Sequence, residues 1–319
     1  MKKLIFGVGA GLILAGLGLT YASFRTEMRQ QGHRLAGQSR IASTQYGRVE
    51  FATKGSGPPF LMIHGTGGGF DQGLAFAQGL AGYQVIAPSR FGYLRSDFPA
   101  DPSSERQADA FAQLLDQLGI KSLPVAGGSA GALSAVQFAL HYPERTSALI
   151  LIVPAANVSG RDPAKMSAAT DFLVKRLATS DLLFWSATKV ARAQMVKTLL
   201  ATDPALIDQA SAAEQKRARR ILDDIMPVSR RWQGMLNDGK LAGQPARVDF
   251  TKITVPTLVV SVEDDRFGTA DTARAIASAI PGAELVIYRR GGHIWVGHDE
   301  ELWNTVSDFV RRVSPPNFG

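Results

Sequence analysis

The chain has no cysteine among its 319 residues. That absence excludes a disulfide scaffold, a thiolate zinc site, an iron–sulfur cluster and a cysteine nucleophile. It leaves the redox compartment open. The N-terminal glycines Gly7, Gly9 and Gly11 lack the third glycine of a dinucleotide-binding turn, since Leu12 or Leu14 stands in its place. A second glycine run, Gly65-Thr66-Gly67-Gly68-Gly69, is followed by Phe70-Asp71. A phosphate-cradling loop needs Lys-Ser or Lys-Thr there. No aromatic residue interleaves with the basic run Lys216-Arg217-Ala218-Arg219-Arg220, which disfavours a single-strand nucleic-acid surface. We read that run as a solvated helix face and expect no nucleic-acid partner, no cofactor and no metal.

What is present is ordinary globular material. Apolar residues make up 45% and charged residues 20%, so the chain can build a sizeable core, and the composition argues against global disorder. The length suits one large α/β domain or two small ones. The net charge of +7 is spread among acids and reads first as solubility.

Lys2 and Lys3 precede an uncharged apolar run over residues 4–21. A short basic stretch before an apolar run is an export signal. The run is at the lower edge of what spans a bilayer as a helix. Residues 1–24 are therefore expected to be a hydrophobic helix that stays as a membrane anchor, with the rest of the chain exported. The alternative is cleavage after Ala22, giving a periplasmic or secreted protein. Residues 25–45 read as a polar tether.

Beyond residue 45, short apolar runs alternate with helical patterns. Strands are expected near 48–52, 60–64, 83–87, 123–127, 148–153, 257–262 and 284–288. Helices are expected near 103–118, 130–141, 269–279 and 300–313. This alternation predicts an α/β fold, a mostly parallel sheet with helices on both faces. Its core would comprise residues 46–154 and 250–315. Residues 155–249 break the alternation and read as an inserted helical cap, with helices at 171–177, 187–200 and 212–225. Phe172, Phe184, Trp185 and Trp232 in this insertion are candidate pocket lining or cap core.

The chemistry concentrates at Gly127-Gly128-Ser129-Ala130-Gly131, a G-x-S-x-G turn between an apolar strand and a helix. Glycines two before and two after Ser129 avoid clashes across so tight a turn. The helix start behind Ser129 favours developing negative charge. A serine hydroxyl needs a base, and the base needs an orienting acid. His293 follows the last expected strand at its C-terminal end, where α/β sheets build sites. His298 reads as a cap or packing residue. The run Glu263-Asp264-Asp265 follows the preceding strand. Asp265 is preferred as the acid and Asp264 is next. The order Ser129, Asp265, His293 is that of hydrolase triads. One oxyanion donor is assigned to the amide of Thr66 or Gly67 and the other to Ala130. His64 is expected to brace that loop.

With these residues in order, the chain resembles the α/β-hydrolase fold family from about residue 48 to 313. The resemblance rests on His64-Gly65-Thr66-Gly67-Gly68, Ser89-Arg90-Phe91-Gly92-Tyr93-Leu94-Arg95-Ser96-Asp97, the turn at 127–131, Asp264-Asp265-Arg266-Phe267 and Gly291-Gly292-His293. It implies a serine hydrolase, foremost a carboxylic ester hydrolase acting on a small ester or acyl substrate through an acyl-enzyme. Carbon–carbon bond hydrolases and perhydrolases of the same fold are alternatives, as is a non-catalytic ligand-binding protein. It also implies that the segment 90–96 lies near the oxyanion loop. Members with an aspartate nucleophile are disfavoured by Ser129.

Overall fold

Apolar runs too short for helices, each closed by a turn, become strands of one sheet. The computed structural model describes residues 2–156, 168–243 and 246–314, without the side chains of 2–15 and 168–171. The strands are β1 (Arg40–Thr44), β2 (Gly47–Lys54), β3 (Pro59–Ile63), β4 (Gln84–Pro88), β5 (Leu123–Gly128), β6 (Thr146–Ile152), β7 (Thr257–Val262) and β8 (Glu284–Tyr288). Their spatial order is β1-β2-β4-β3-β5-β6-β7-β8. β2 pairs antiparallel with both β1 and β4, and every pairing from β4 to β8 is parallel.

Parallel neighbours need crossovers, and the helices supply them. In chain order they are α1 (Lys2–Leu35), α2 (Phe70–Phe76), α3 (Ser104–Gln117), α4 (Gly131–His141), α5 (Ala168–Thr179), α6 (Asp181–Val190), α7 (Arg192–Leu199), α8 (Pro204–Gln209), α9 (Ala212–Asp223), α10 (Trp232–Gly243), α11 (Thr269–Ala279) and α12 (Asp299–Val313). Helices α5 to α10 all fall between β6 and β7, and form the cap.

The central strands are buried on both faces, so alternate residues feed two cores. Phe60 and Met62 of β3 join the cluster holding Trp303 and Phe309 of α12. Leu61 and Ile63 point the other way, to Phe111 of α3 and Phe138 of α4. Each such side chain contributes roughly 1.5–3 kcal/mol by leaving water. α3 starts where Ser103 accepts a hydrogen bond from the Arg106 amide, which satisfies one orphan donor of the first turn.

Two expectations meet a different structure. The segment read as a polar tether holds the end of α1 and all of β1. Two of its charged residues have distant partners: Glu27 accepts from Trp185 Nε1 at 2.9 Å, and Arg34 pairs with Asp71 at 2.6 Å. Composition cannot distinguish a solvated polar residue from a paired one. β1 buries only Ala42, so it carries no alternating apolar signal and forms through its register with β2. The helix expected over 187–200 is two, since Ala191 leaves helical geometry between α6 and α7. No glycine or proline marks that break.

The expected membrane run, residues 4–21, lies mostly outside the residues with described side chains. Among the described residues, no helix is long and apolar enough to cross a membrane.

Candidate active site

The strand-to-helix turn at Ser129 is built by exclusion. Ser129 has φ of +51°, a left-handed conformation that side chains other than glycine rarely adopt. Its amide donates to the Ile152 carbonyl at 2.9 Å, and its carbonyl accepts from Ala132 and Ala155. A Cβ on Gly131 would lie 2.5 Å from the carbonyl oxygens of both Ile63 and His64. A Cβ on Gly127 would lie 2.7 Å from the Gly131 carbonyl. Glycine at both places lets β3 and β5 end side by side, so the loop after β3 arrives beside Ser129. Gly65 sits so close that a Cβ there would be 3.2 Å from that of Ser129.

His293 and Asp265 come from the C-terminal ends of β8 and β7. The His293 Nε2 lies 2.9 Å from the Ser129 hydroxyl, and its Nδ1 lies 2.7 Å from Asp265 Oδ2. The ring of Phe267 meets the imidazole edge-on at 4.9 Å. Burial alone would push the Asp265 carboxyl up. The neighbouring His293 ring, with hydrogen bonds from His293, Thr269 and the Phe267 amide, overrides burial and holds it below the usual carboxylate range. The structure thus brings Ser129, His293 and Asp265 together. Asp264 faces elsewhere and accepts from the amides of Gly291 and Gly292 at 2.9 and 2.7 Å. Glu263 pairs with Arg274 at the surface. His298 binds Glu301 and the Arg290 carbonyl ahead of α12.

The oxyanion candidates separate. The Gly67 amide donates to the Tyr93 hydroxyl at 3.2 Å, so it is engaged within the protein. Among the described residues, the amides of Thr66 and Ala130 have no such partner. Ala130 opens α4 with no side-chain cap, which leaves the helix start able to meet negative charge. His64 is wholly buried and braces the loop: Nδ1 donates to the Gly65 carbonyl at 2.7 Å, and Nε2 accepts from the Arg90 amide at 2.9 Å. Burial, helped by the Arg90 guanidinium, pushes its pKa well down and keeps it neutral.

Two buried residues of the cap bear on this loop, Arg231 directly and Asp238 through Arg90 and Tyr93, and sequence reasoning missed both. Arg231 donates to the Gly68 carbonyl and pairs with Asp71 at 2.8 Å. Asp238 accepts two hydrogen bonds from Arg90 and one from Tyr93. A buried charge on a polar-looking helix is a signal only once its partner, about 150 residues away in the chain, is known. Two of the four cap aromatic residues serve packing. Phe184 is in the core, Trp185 packs edge-on against Phe24 of α1, and Phe172 and Trp232 are exposed. In the basic run, Arg217 pairs with Glu214 and Asp299, while Lys216, Arg219 and Arg220 are exposed. Among the described residues, no group of three or more His, Asp or Glu side chains is gathered to hold a metal ion.

Comparison with known proteins extends this geometry. The chain is 26% identical over 281 residues to Lipase 1 of Psychrobacter immobilis, covering 86% of this chain and 82% of the lipase. It is equally identical, 26% over 295 residues, to a 2-hydroxy-6-oxononadienedioate/2-hydroxy-6-oxononatrienedioate hydrolase of Cupriavidus pinatubonensis, covering 87% of this chain and 94% of that enzyme. A solved membrane phospholipase A, described as a bacterial virulence factor, shares the fold with a TM-score of 0.63 at 21% identity, covering 99% of this chain and all of that one. The sequence pattern of the alpha/beta hydrolase fold matches residues 58–296. The chain belongs to the α/β-hydrolase fold family, and it is a hydrolase.

Proposed function

We propose that the protein is a serine hydrolase of carboxylic esters that works through an acyl-enzyme. The observation that carries this reading is the 2.9 Å contact between His293 Nε2 and the Ser129 hydroxyl. In this reading Ser129 Oγ attacks the acyl carbonyl while His293 takes its proton. Asp265 fixes the ring so that Nε2 faces the serine, and stabilises the imidazolium that forms. The Thr66 and Ala130 amides receive the charge on the carbonyl oxygen, each such donor being worth about 3 kcal/mol in the transition state. His293 returns the proton to the departing alcohol. Water, deprotonated by the same ring, then releases the acid and restores Ser129.

A carbon–carbon bond hydrolase is the second reading, favoured by the similarity to the Cupriavidus enzyme. We also place the domain outside the cytoplasmic membrane, held by the apolar run over residues 4–21, with Lys2 and Lys3 on the inner side.

The test is labelling by a fluorophosphonate, together with hydrolysis of p-nitrophenyl esters of graded acyl length and of a vinylogous 1,5-diketone. Labelling and ester turnover that both vanish in Ser129→Ala support the esterase. Turnover of the diketone with negligible ester turnover transfers the assignment to the second reading. Ester hydrolysis that persists above about 1% in pure Ser129→Ala overturns the serine mechanism.

A further inference from the structure

The two peptides that flank Thr66, the first of which carries its amide, are both pinned. A trans peptide holds its C=O and N–H in opposite directions, so fixing one aims the other. The Gly65 carbonyl, which shares a peptide with the Thr66 amide, accepts from His64 Nδ1 at 2.7 Å. The Gly67 amide, in the next peptide, donates to the Tyr93 hydroxyl at 3.2 Å. Thr66 thus sits between two fixed peptide planes.

Both pins trace back to one stretch, residues 90–93, and that stretch is locked by the cap. The Arg90 amide donates to His64 Nε2 at 2.9 Å, which requires the proton of His64 to be on Nδ1. The Arg90 guanidinium grips Asp238 of α10 with two hydrogen bonds of 2.6 and 2.5 Å. The Tyr93 hydroxyl donates to the same carboxylate at 2.5 Å. The Asp238 carboxylate accepts in all three of these bonds, so the direction of the one from Tyr93 is set. The Tyr93 hydroxyl must therefore accept from Gly67, and the reversed orientation of that peptide would face it with a carbonyl it cannot satisfy. The Tyr93 ring has no freedom to leave. It meets His64 edge-on at 4.6 Å, and a Cβ on Gly234 of α10 would lie 2.2 Å from it.

We infer that Tyr93 and Asp238 are positioning residues of the oxyanion hole: through the Gly67 amide they hold the Thr66 N–H aimed at the reacting carbonyl oxygen. The inference rests on the serine-hydrolase reading above. It makes a cap helix part of the catalytic apparatus without contact to substrate. A donor displaced by about 1 Å costs on the order of 100-fold in rate, so the relay affects the transition state far more than ground-state binding.

The test uses the full chain carrying Tyr93→Phe, which keeps the ring and deletes the hydroxyl. The expected result on a p-nitrophenyl ester is a fall in kcat of about 10- to 100-fold with KM within about twofold. The affinity for a trifluoromethyl ketone, which forms a hemiketal oxyanion on Ser129, falls by the same factor as kcat/KM. The affinity for the matching methyl ketone stays level. A merely structural role would weaken both ketones alike, and that result overturns the inference. An unchanged kcat overturns it too, as does a lowered kcat with full trifluoromethyl ketone affinity. If Tyr93→Phe does not accumulate folded, Asp238→Asn is measured in the same way. Failure of both to fold assigns the relay to folding alone and also overturns it. A wild type that needs Ser129, beside a Tyr93→Phe variant at full rate, removes this inference and leaves the parent reading intact. A wild type indifferent to Ser129 removes the parent reading.

Discussion

Asp264 and Asp265 are neighbours in the chain whose carboxylates serve two different needs of one loop: Asp265 lies 2.7 Å from the His293 ring, and Asp264 holds the amides of Gly291 and Gly292. One orients the base. The other shapes the turn from which the base projects.

Replacing each should therefore produce different losses. Asp265→Asn is expected to lower kcat by about four orders of magnitude with little change in fold, because the ring loses its orienting charge. Asp264→Ala leaves two amides without an acceptor and is expected to cost about 1–3 kcal/mol of stability. Its activity should fall much less. Steady-state kinetics and urea unfolding on both variants check this. A larger activity loss in a folded Asp264→Ala would reverse the assignment.

Ser129 adopts φ of +51°, which costs a residue with a Cβ about 1–2 kcal/mol. Ser129→Ala keeps that cost, so its melting temperature should match the wild type. Ser129→Gly releases it, but loses roughly 0.5–1 kcal/mol to the freedom of glycine in the unfolded chain. It should melt level with Ser129→Ala or slightly above. Calorimetry on the two inactive variants decides, and a Ser129→Gly that melts well below Ser129→Ala would contradict a strained turn.

Glycines offer a paired contrast. At Gly131 a Cβ would meet two backbone oxygens at 2.5 Å, and neither can yield without moving β3. Gly131→Ala is expected to cost about 1–3 kcal/mol or more, and to lose activity as the loop after β3 shifts from Ser129. At Gly239 in α10 a Cβ meets nothing within 4 Å. Gly239→Ala should stabilise the protein by up to about 1 kcal/mol, as alanine does in a helix interior. Opposite signs in chemical denaturation are the expected result.

The buried His64 makes a prediction about pH. Burial first, and Arg90 next, push its pKa well below 6.5 in the folded chain. Below about pH 6.5 the unfolded chain takes up a proton that the folded chain refuses. Unfolding then consumes a proton, so stability falls as the pH falls, by up to about 1.4 kcal/mol per unit. Above 6.5 this contribution is level. Unfolding curves of wild type and His64→Gln between about pH 8 and pH 5 should differ in slope by close to one proton. Parallel curves would mean that His64 ionises freely.

Local pattern carried much of this molecule. Seven of the eight strands follow from short runs rich in apolar residues, and the central ones, β3, β5, β6 and β7, read most plainly because a strand buried on both faces must be apolar at nearly every position. The turn at Ser129 is legible because only glycine fits two residues on either side of it. His293 and the acidic run near Asp265 are legible because the sheet brings the C-terminal ends of parallel strands to one edge. β1 escaped because a strand with one buried residue has no period to read. The choice between Asp264 and Asp265 depends on a turn geometry that adjacent, identical side chains cannot encode. That Gly67 is engaged and, among the described residues, Thr66 is not, that Arg231 reaches the oxyanion loop and that Asp238 acts on it through Tyr93, were decided only by tertiary structure. Each depends on a hydrogen bond between groups far apart in the chain. A short-range pattern records which residues a segment buries, but the partner of a buried charge is set by how distant segments dock.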